Sequence, residues 1–181
     1  MKKTAVITIT ALLFVGSVFA ASAFTSAELT REANIQVEAD TDGIITLSPG
    51  ENVDAVDINE DGVLEINAAP DGVGLNVEGT FTFGDNATAH EGDDAFSITN
   101  ADDTERTLSL EYNNVVENEG VTDAVTFTVY DSDGNELDSA DMETGASVTL
   151  GAGEEVFVVI DTDTTGLSPN ADLSGDLVIT A

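Results

Sequence analysis

The sequence predicts an all-β protein, an antiparallel β-sandwich of jelly-roll or immunoglobulin-like type with about eight to ten short strands. Three observations support this fold class. Apolar and polar residues alternate in segment after segment, turn-forming Gly, Pro, Asn and Asp residues separate the segments, and no window after residue 23 keeps helical spacing. The length of 181 residues suits one domain once an export signal is removed.

Residues 1–23 have the order of a secretory signal peptide, the one segment expected to be helical. Two lysines lead into an apolar run that ends in small residues and contains no Asp or Glu. Cleavage after Ala20 or after Ala23 fits the small-x-small pattern. Because the uncharged run 4–24 is about as long as a membrane-spanning helix, a retained anchor is the alternative. In both cases the remaining domain, residues 24–181, is expected outside the cytoplasm, either secreted or at the cell surface.

The domain that follows alternates strand patterns with turns. The predicted strands lie, in chain order, within the segments 33–39, 43–51, 63–67, 73–83, 95–100, 106–112, 124–139, 147–162 and 174–181. The turns DSDGN and GAG divide the two longest segments into two strands each. The two-residue period predicts which apolar residues face inward: Ala33, Ile35, Val37, Ala39, Val73, Leu75, Val77, Phe81, Phe83, Phe96, Ile98, Leu108, Leu110, Tyr112, Val125, Phe127, Val129, Leu177 and Ile179. Gly79 interrupts one of these faces, as a bulge would.

The domain after the signal is strongly acidic. All 36 Asp and Glu residues fall in it, against two arginines and no lysine, which gives a formal charge of −34. The acidic residues are spread among strand-like segments, which is not typical of a disordered acidic tail. In molar salt the screening length falls to about 3 Å, so the repulsion becomes tolerable while the surface stays hydrated. The composition therefore indicates a halophile, most simply a haloarchaeon.

The same composition excludes several classes of function. A domain with this charge cannot neutralise phosphates, so nucleic acid is excluded as a direct partner, and no membrane contact is expected beyond the signal or anchor segment. The chain has no Cys, which excludes disulfides, thiolate catalysis and Cys-based zinc sites.

The single histidine, His90, does not form a recognised catalytic pattern. It begins a His-Glu pair, but Asp94 stands where a second metal-binding histidine would follow, and the sequence has no Gly-x-Ser-x-Gly elbow. An exposed loop histidine is the preferred interpretation.

Two acidic turns carry half of a calcium-binding pattern. Their candidate ligands for a structural Ca²⁺ are Asp57, Asn59, Asp61, Asp131 and Asp133. In the first turn the twelfth position holds Ala68 instead of the bidentate Glu that a full calcium loop needs. A plain acidic turn is therefore the preferred interpretation of both.

The tripeptide NAT at 86–88 fits the N-glycosylation pattern and lies in a polar loop of an exported chain. Asn86 is the predicted acceptor. It is expected to be accessible.

Three stretches follow one another in an order that is similar to a known family. They are ASAFTSAELTREANIQV with GIITLSPG soon after, then FSITNADDTERTLSLEY, then LGAGEEVFVVIDTDTTGLSPNADLSGDLVITA. In this order they resemble a family of secreted haloarchaeal proteins of unknown function with a SipW-type signal peptide, distantly similar to the TasA and camelysin group. The resemblance covers most of the mature chain. It implies a jelly-roll-like sandwich and, for TasA-like members, filaments in which an N-terminal extended segment of one subunit completes the sheet of the next.

The stretch 24–39 has the alternation and β-branched content that addition to an exposed sheet edge requires. The residues predicted to fill apolar slots on the receiving subunit are Phe24, Leu29, Ile35 and Val37. The alternative is that this stretch is the first strand of its own sandwich. Camelysin-like members are linked with proteolysis, but this chain departs from them with one histidine, no zinc motif and no Cys.

These features predict a non-enzymatic structural protein of the cell surface or extracellular matrix of a halophile. It is expected to form homo-oligomers or filaments, or to bind other surface proteins. No cofactor is predicted beyond the candidate structural Ca²⁺. The alternatives are a monomeric module that binds divalent cations or another ligand, and an exported hydrolase.

Overall fold

A computed structural model describes residues 43–68, 75–76, 78–114, 123–168 and 171–181. These residues form eleven strands: β1 (Ile45–Pro49), β2 (Val56–Ile58), β3 (Leu64–Ile66), β4 (Thr80–Phe83), β5 (Phe96–Asn100), β6 (Arg106–Asn114), β7 (Val125–Tyr130), β8 (Glu136–Ala140), β9 (Ala146–Leu150), β10 (Glu155–Asp163) and β11 (Gly175–Thr180). The one helical element among them is a short 3-10 turn at Ala89–Glu91. The predicted all-β class is confirmed, and the predicted signal segment lies outside the described residues.

The strands form two larger sheets and a small hairpin, with antiparallel pairing throughout the described residues. The first sheet has the order β1, β5, β10, β7, β8, and the second has the order β11, β6, β9. The hairpin consists of β2 and β3. β10 is nine residues long, and β5 pairs with its first half while β4 pairs with its second half. β4 and β5 therefore share one edge of β10.

Apolar residues of both sheets form one core, as expected for a sandwich. The buried residues include those predicted to face inward from the central strands: Phe96, Ile98, Leu108, Leu110, Tyr112, Val125, Phe127 and Val129. The rings of Tyr112 and Phe127 meet across the sheets with centroids 5.2 Å apart. Leu177 and Ile179 are half-buried and pack against the same core. Two-residue alternation thus identified the core face of these strands correctly.

Asn100 links two turns at one end of the sandwich. It ends β5 and is fully buried. Its amide nitrogen Nδ2 lies 2.8 Å from the carbonyl oxygen of Thr104, 3.2 Å from that of Leu150 and 2.9 Å from that of Gly151. Its Oδ1 accepts a hydrogen bond of 3.1 Å from the backbone N–H of Asp102. One side chain therefore joins the β5–β6 turn to the β9–β10 turn.

Arg106, the one arginine of the described residues, is engaged in an ion pair at the start of β6. Its guanidinium donates to Oδ2 of Asp102 through both Nε and a terminal nitrogen. These hydrogen bonds lower the pKa of Asp102 to about 2, with help from the Asp103 backbone N–H and the Thr104 hydroxyl. The positive charge of Arg106 is therefore paired with a carboxylate of the same domain.

The segment 73–83, which the sequence predicts as one long strand, is a strand only at Thr80–Phe83. Before it, Glu78 has φ of 58°, in the left-handed region. The buried side chain of Thr164 holds this turn: its Oγ1 accepts from the N–H of Gly79 at 2.9 Å and lies 2.7 Å from the carbonyl oxygen of Asn76. The interruption expected at Gly79 is present. Val73 and Val77 lie outside the described residues.

Replacing Glu78 by Gly is expected to raise the free energy of unfolding by about 0.5 kcal/mol. Gly removes the backbone strain of a non-Gly residue in the left-handed conformation. The free energy gained in this way exceeds the free energy lost because an unfolded chain with Gly has more conformational entropy. Urea denaturation would measure the difference. Glu78→Ala is the matched control, because it removes the same charge but keeps the strain. Equal stabilisation by both variants would contradict this explanation.

Candidate functional site

A groove opens between the two sheets. It has a volume of about 1080 Å³. One wall is the core face of the first sheet and the other is formed by β6 and β11, with apolar lining from Leu47, Phe83, Phe127, Tyr112, Leu177 and Ile179. Packed protein interiors leave few voids larger than a water molecule, and a large engineered cavity measures about 150 Å³. The described residues alone therefore leave this part of the sandwich open.

One side of the groove is the outer edge of β11, the edge away from β6. β11 pairs with β6 from Gly175 opposite Asn114 to Thr180 opposite Ser109, and it has no second strand partner among the described residues. Its inward residues are half-buried, whereas its outward residues are exposed. In an edge strand, every second residue directs its N–H and C=O away from the sheet. The edge can therefore accept another strand, whose inward side chains would enter the groove.

Other sheet edges are less available. At the corner where β8 leads into β9, Oδ2 of Asp138 accepts a hydrogen bond of 2.8 Å from the backbone N–H of Ser147. A side chain thus satisfies a backbone donor of β9. β1 ends in Pro49, which has no N–H to donate. Among the edges described, that of β11 is the best suited to strand addition.

Tyr112 is a buried residue that lines the groove. Its hydroxyl donates to the carbonyl oxygen of Leu173, and its ring passes close to Gly175, where an added Cβ would lie 2.7 Å from the ring. A larger residue at 175 would displace the ring. Burial raises the pKa of Tyr112, and the nearby carboxylates of Asp172 and Asp176 raise it further. The mouth of the groove is therefore negatively charged.

The two acidic turns predicted as half calcium loops share one hydrogen-bond pattern. In each, the first residue donates its backbone N–H to the carbonyl oxygen four residues on, from Asn59 to Val63 at 2.9 Å and from Asp131 to Asn135 at 2.9 Å. Oδ1 of the same first residue accepts from the backbone N–H groups two and four residues later. Both turns hold a glycine with φ near 79° at the fourth position. Their Asp and Asn side chains build hairpin turns.

Within the described ranges, no group of three or more His, Asp or Glu side chains is placed to hold a metal ion. Oδ1 of Asp57 accepts from the backbone N–H of Ile58, and Asp57 stands opposite Glu65 in the hairpin. Hydrogen bonds from the Asn135 side chain and backbone lower the pKa of Asp131. Asp61 and Asp133 are exposed. Calcium binding at these turns stays a prediction, and the geometry favours their structural use.

His90 is more enclosed than the predicted exposed loop residue. It lies in the 3-10 turn, which packs on the outer face of the first sheet through Ala89. An added Cβ on Gly134 would lie 3.0 Å from Nδ1 of His90, so the ring rests on the second acidic turn. Nδ1 is buried, with no hydrogen-bond partner among the described residues, and Nε2 lies 3.9 Å from Oε1 of Glu91. Sequence reasoning missed this contact because the two segments lie far apart in the chain.

Asn86 is exposed, as predicted. It lies in a turn where the N–H of Ala87 donates to Oδ1 of Asp85 at 2.9 Å. The hydroxyl of Thr88, the third residue of the sequon, donates to Oδ2 of Asp93 at 2.8 Å. Glycosylation of Asn86 stays a prediction.

The predicted docking residues Phe24, Leu29, Ile35 and Val37 lie outside the described residues, as does the predicted signal segment. Within the part of the chain that the structure describes, no helix is long and apolar enough to cross a membrane. No protein-family model matches the sequence, and no similar sequence was found among curated proteins.

Proposed function

We propose that the chain is an exported, non-enzymatic structural protein of a halophile's cell surface or extracellular matrix. Copies assemble when residues 24–39 of one copy add as a strand to β11 of the next. The groove between the sheets is the observation that carries this proposal. It offers a strand edge that has no second strand partner among the described residues, beside a groove of about 1080 Å³ that Leu177 and Ile179 help to line.

The chemistry of the docking segment suits the groove. In residues 33–39, Ala33, Ile35, Val37 and Ala39 alternate with polar residues. Paired with the edge of β11, this strand would direct the apolar set towards Leu177 and Ile179. Main-chain hydrogen bonds would supply affinity, and the alternate side chains would supply specificity.

The charge of the domain determines the conditions for assembly. Each copy carries a formal charge of −34 after the signal, and the groove mouth holds Asp172 and Asp176. Close packing of such copies requires concentrated salt, because screening shortens the range of repulsion to about 3 Å at 1 M. Removal of salt should therefore dissolve assemblies of folded copies before it unfolds the copies themselves.

Substitutions on either side of the contact are expected to abolish assembly of the mature protein in molar salt. The donor variant is Ile35→Asp with Val37→Asp, and the acceptor variant is Ile179→Asp, each of which places a charge in an apolar contact. Val178→Asp is the matched control, because Val178 directly precedes Ile179 in β11 and is 41% exposed. Electron microscopy and sedimentation would measure the assemblies, and circular dichroism would verify folding.

Mixing the two defective variants gives the sharpest test. The acceptor variant keeps an intact segment and the donor variant keeps an intact groove, so the mixture should form heterodimers that grow no further. Assemblies that persist after deletion of residues 24–39 would contradict the proposal. Uniform monomers of the unmodified mature protein, destabilised by the donor substitutions, would show instead that the segment is a strand of its own sandwich.

A further inference from the structure

Asp94 is the one acidic residue that the fold buries among the described residues, with 4% of its surface exposed. It lies in the loop before β5, between two glycines. An added Cβ on Gly50 would lie 1.8 Å from the Asp94 carbonyl oxygen, and one on Gly84 would lie 2.9 Å from the Asp93 carbonyl oxygen. The absence of side chains at these glycines lets the β1–β2 turn and the end of β4 close over the Asp94 backbone.

Backbone hydrogen bonds tie the neighbours of Asp94 together. The N–H of Gly50 donates to the carbonyl oxygen of Ala95 at 3.0 Å, and the N–H of Ala95 donates to that of Val158 at 2.8 Å. We call these two hydrogen bonds the clamp. The clamp joins the end of β1 to β5 and β10, and β1 lines the groove through Leu47.

Three carboxylates act electrostatically on the Asp94 carboxyl. They are Glu155 from β10, Asp93 from its own loop and Glu51 from the β1–β2 turn, while the end of β4 contributes Gly84, which has no side chain. Asp93 is held in place as an acceptor by Nδ2 of Asn52 at 2.7 Å and by the Thr88 hydroxyl at 2.8 Å. An ionised Asp94 is therefore both desolvated and repelled.

We infer that Asp94 is a proton-operated switch of the clamp. With a proton, the carboxyl is neutral in its enclosed position and the clamp holds β1. When Asp94 loses this proton, its charge is repelled by Glu51, Asp93 and Glu155. The repulsion loosens the end of β1 and hence one wall of the groove. The inference goes beyond the proposed function and does not depend on assembly.

The direction of the pH effect follows from the protonation of the two states. Burial raises the pKa of Asp94 from 3.8 to about 6; its own backbone N–H opposes the rise, and the three carboxylates add to it. Between these values the folded protein holds more protons than the unfolded chain, so stability falls as pH rises from about 4 to above 6. This trend is opposite to that of an ion-paired carboxylate such as Asp102.

The test compares the unmodified mature protein with Asp94→Asn in molar salt, where screening suppresses repulsion among exposed charges. At about pH 7 the variant should have the higher thermal midpoint, and the difference should shrink as pH falls and close at about pH 4. Protection of the Gly50 amide from hydrogen exchange should fall between these pH values in the unmodified protein only. Glu111→Gln is the matched control, since Glu111 is an exposed carboxylate on β6 and its removal should leave the pH trend unchanged.

Two further measurements test the inference even if the Asp94→Asn variant does not fold. NMR titration of the Asp94 carboxyl carbon in the unmodified protein should give a midpoint near 6, and Glu155→Gln should shift it to lower pH because one repelling charge is removed. Titration of Asp94 near its ordinary value of 3.8 would overturn the inference. An unchanged pH trend in a folded Asp94→Asn would do the same.

Discussion

Replacement of Asn100 by Asp is expected to lower the free energy of unfolding by about 3 kcal/mol at neutral pH. The Asn100 amide nitrogen faces the carbonyl oxygens of Thr104, Leu150 and Gly151, and the side chain is fully buried. A carboxylate of the same shape has no N–H to donate and turns a negative oxygen towards these acceptors. The thermal midpoint should fall by about 10 °C for a domain of this size.

The matched control for this substitution is Asn113→Asp. Asn113 lies on β6 with an exposed side chain, so the same change adds the same charge without burying it. Urea denaturation in molar salt would compare the three proteins. The deficit of Asn100→Asp should shrink as pH falls, because a protonated carboxyl regains one donor. Equal stability of the two variants would show that the buried hydrogen bonds of Asn100 contribute little.

Withdrawal of salt is expected to have the second large effect, a steep loss of thermal stability as NaCl is lowered from about 1 M to about 0.01 M. Over this range the screening length grows from about 3 Å to about 30 Å. Like charges then repel across the surface, as for Asp57 and Glu65, which stand directly opposite each other in the β2–β3 hairpin. Within the described residues one arginine is present to offset them, and it is paired with Asp102.

Two comparisons separate screening from other effects of salt. Sucrose strengthens apolar burial without screening charge, so it should not replace NaCl at low ionic strength. A variant that combines Glu65→Gln, Glu111→Gln and Asp176→Asn removes three exposed carboxylates and should show a weaker dependence on NaCl. A domain with the same midpoint at about 0.01 M and 1 M NaCl would contradict the inferred adaptation to salt.

The sequence predicted the central strands because their two-residue period reports directly which residues a sheet buries. Phe96 and Ile98 in β5, and Phe127 and Val129 in β7, are buried as that period predicts. The interruption at Glu78 extends further than the predicted bulge because Thr164, a residue 85 positions beyond Gly79, holds the turn. A contact between residues so far apart in the chain cannot be predicted from a local sequence pattern.

The groove and the buried Asp94 also depend on long-range arrangement. Among the described residues, β11 pairs with β6 and with no second strand, while β4 takes the second half of one edge of β10. The groove results from this pairing, and the alternation of a strand does not reveal its neighbours. Asp94 lies in the acidic stretch EGDDA, where nothing local distinguishes it from Asp93. Its burial results from the approach of Gly50, more than forty residues earlier.

The ion pair between Arg106 and Asp102 affects where a protease can cut the chain. After residue 23, trypsin could cut only beyond Arg31 and Arg106, since the chain has no other Lys or Arg there. Arg106 opens the central strand of its sheet, opposite Leu150 of β9, and its guanidinium is bound to Asp102. Proteases cut chain segments that open readily, which a central strand does not. Digestion should therefore start at Arg31, within the proposed docking segment 24–39. The rate of this cut should then report whether the segment is bound in a groove.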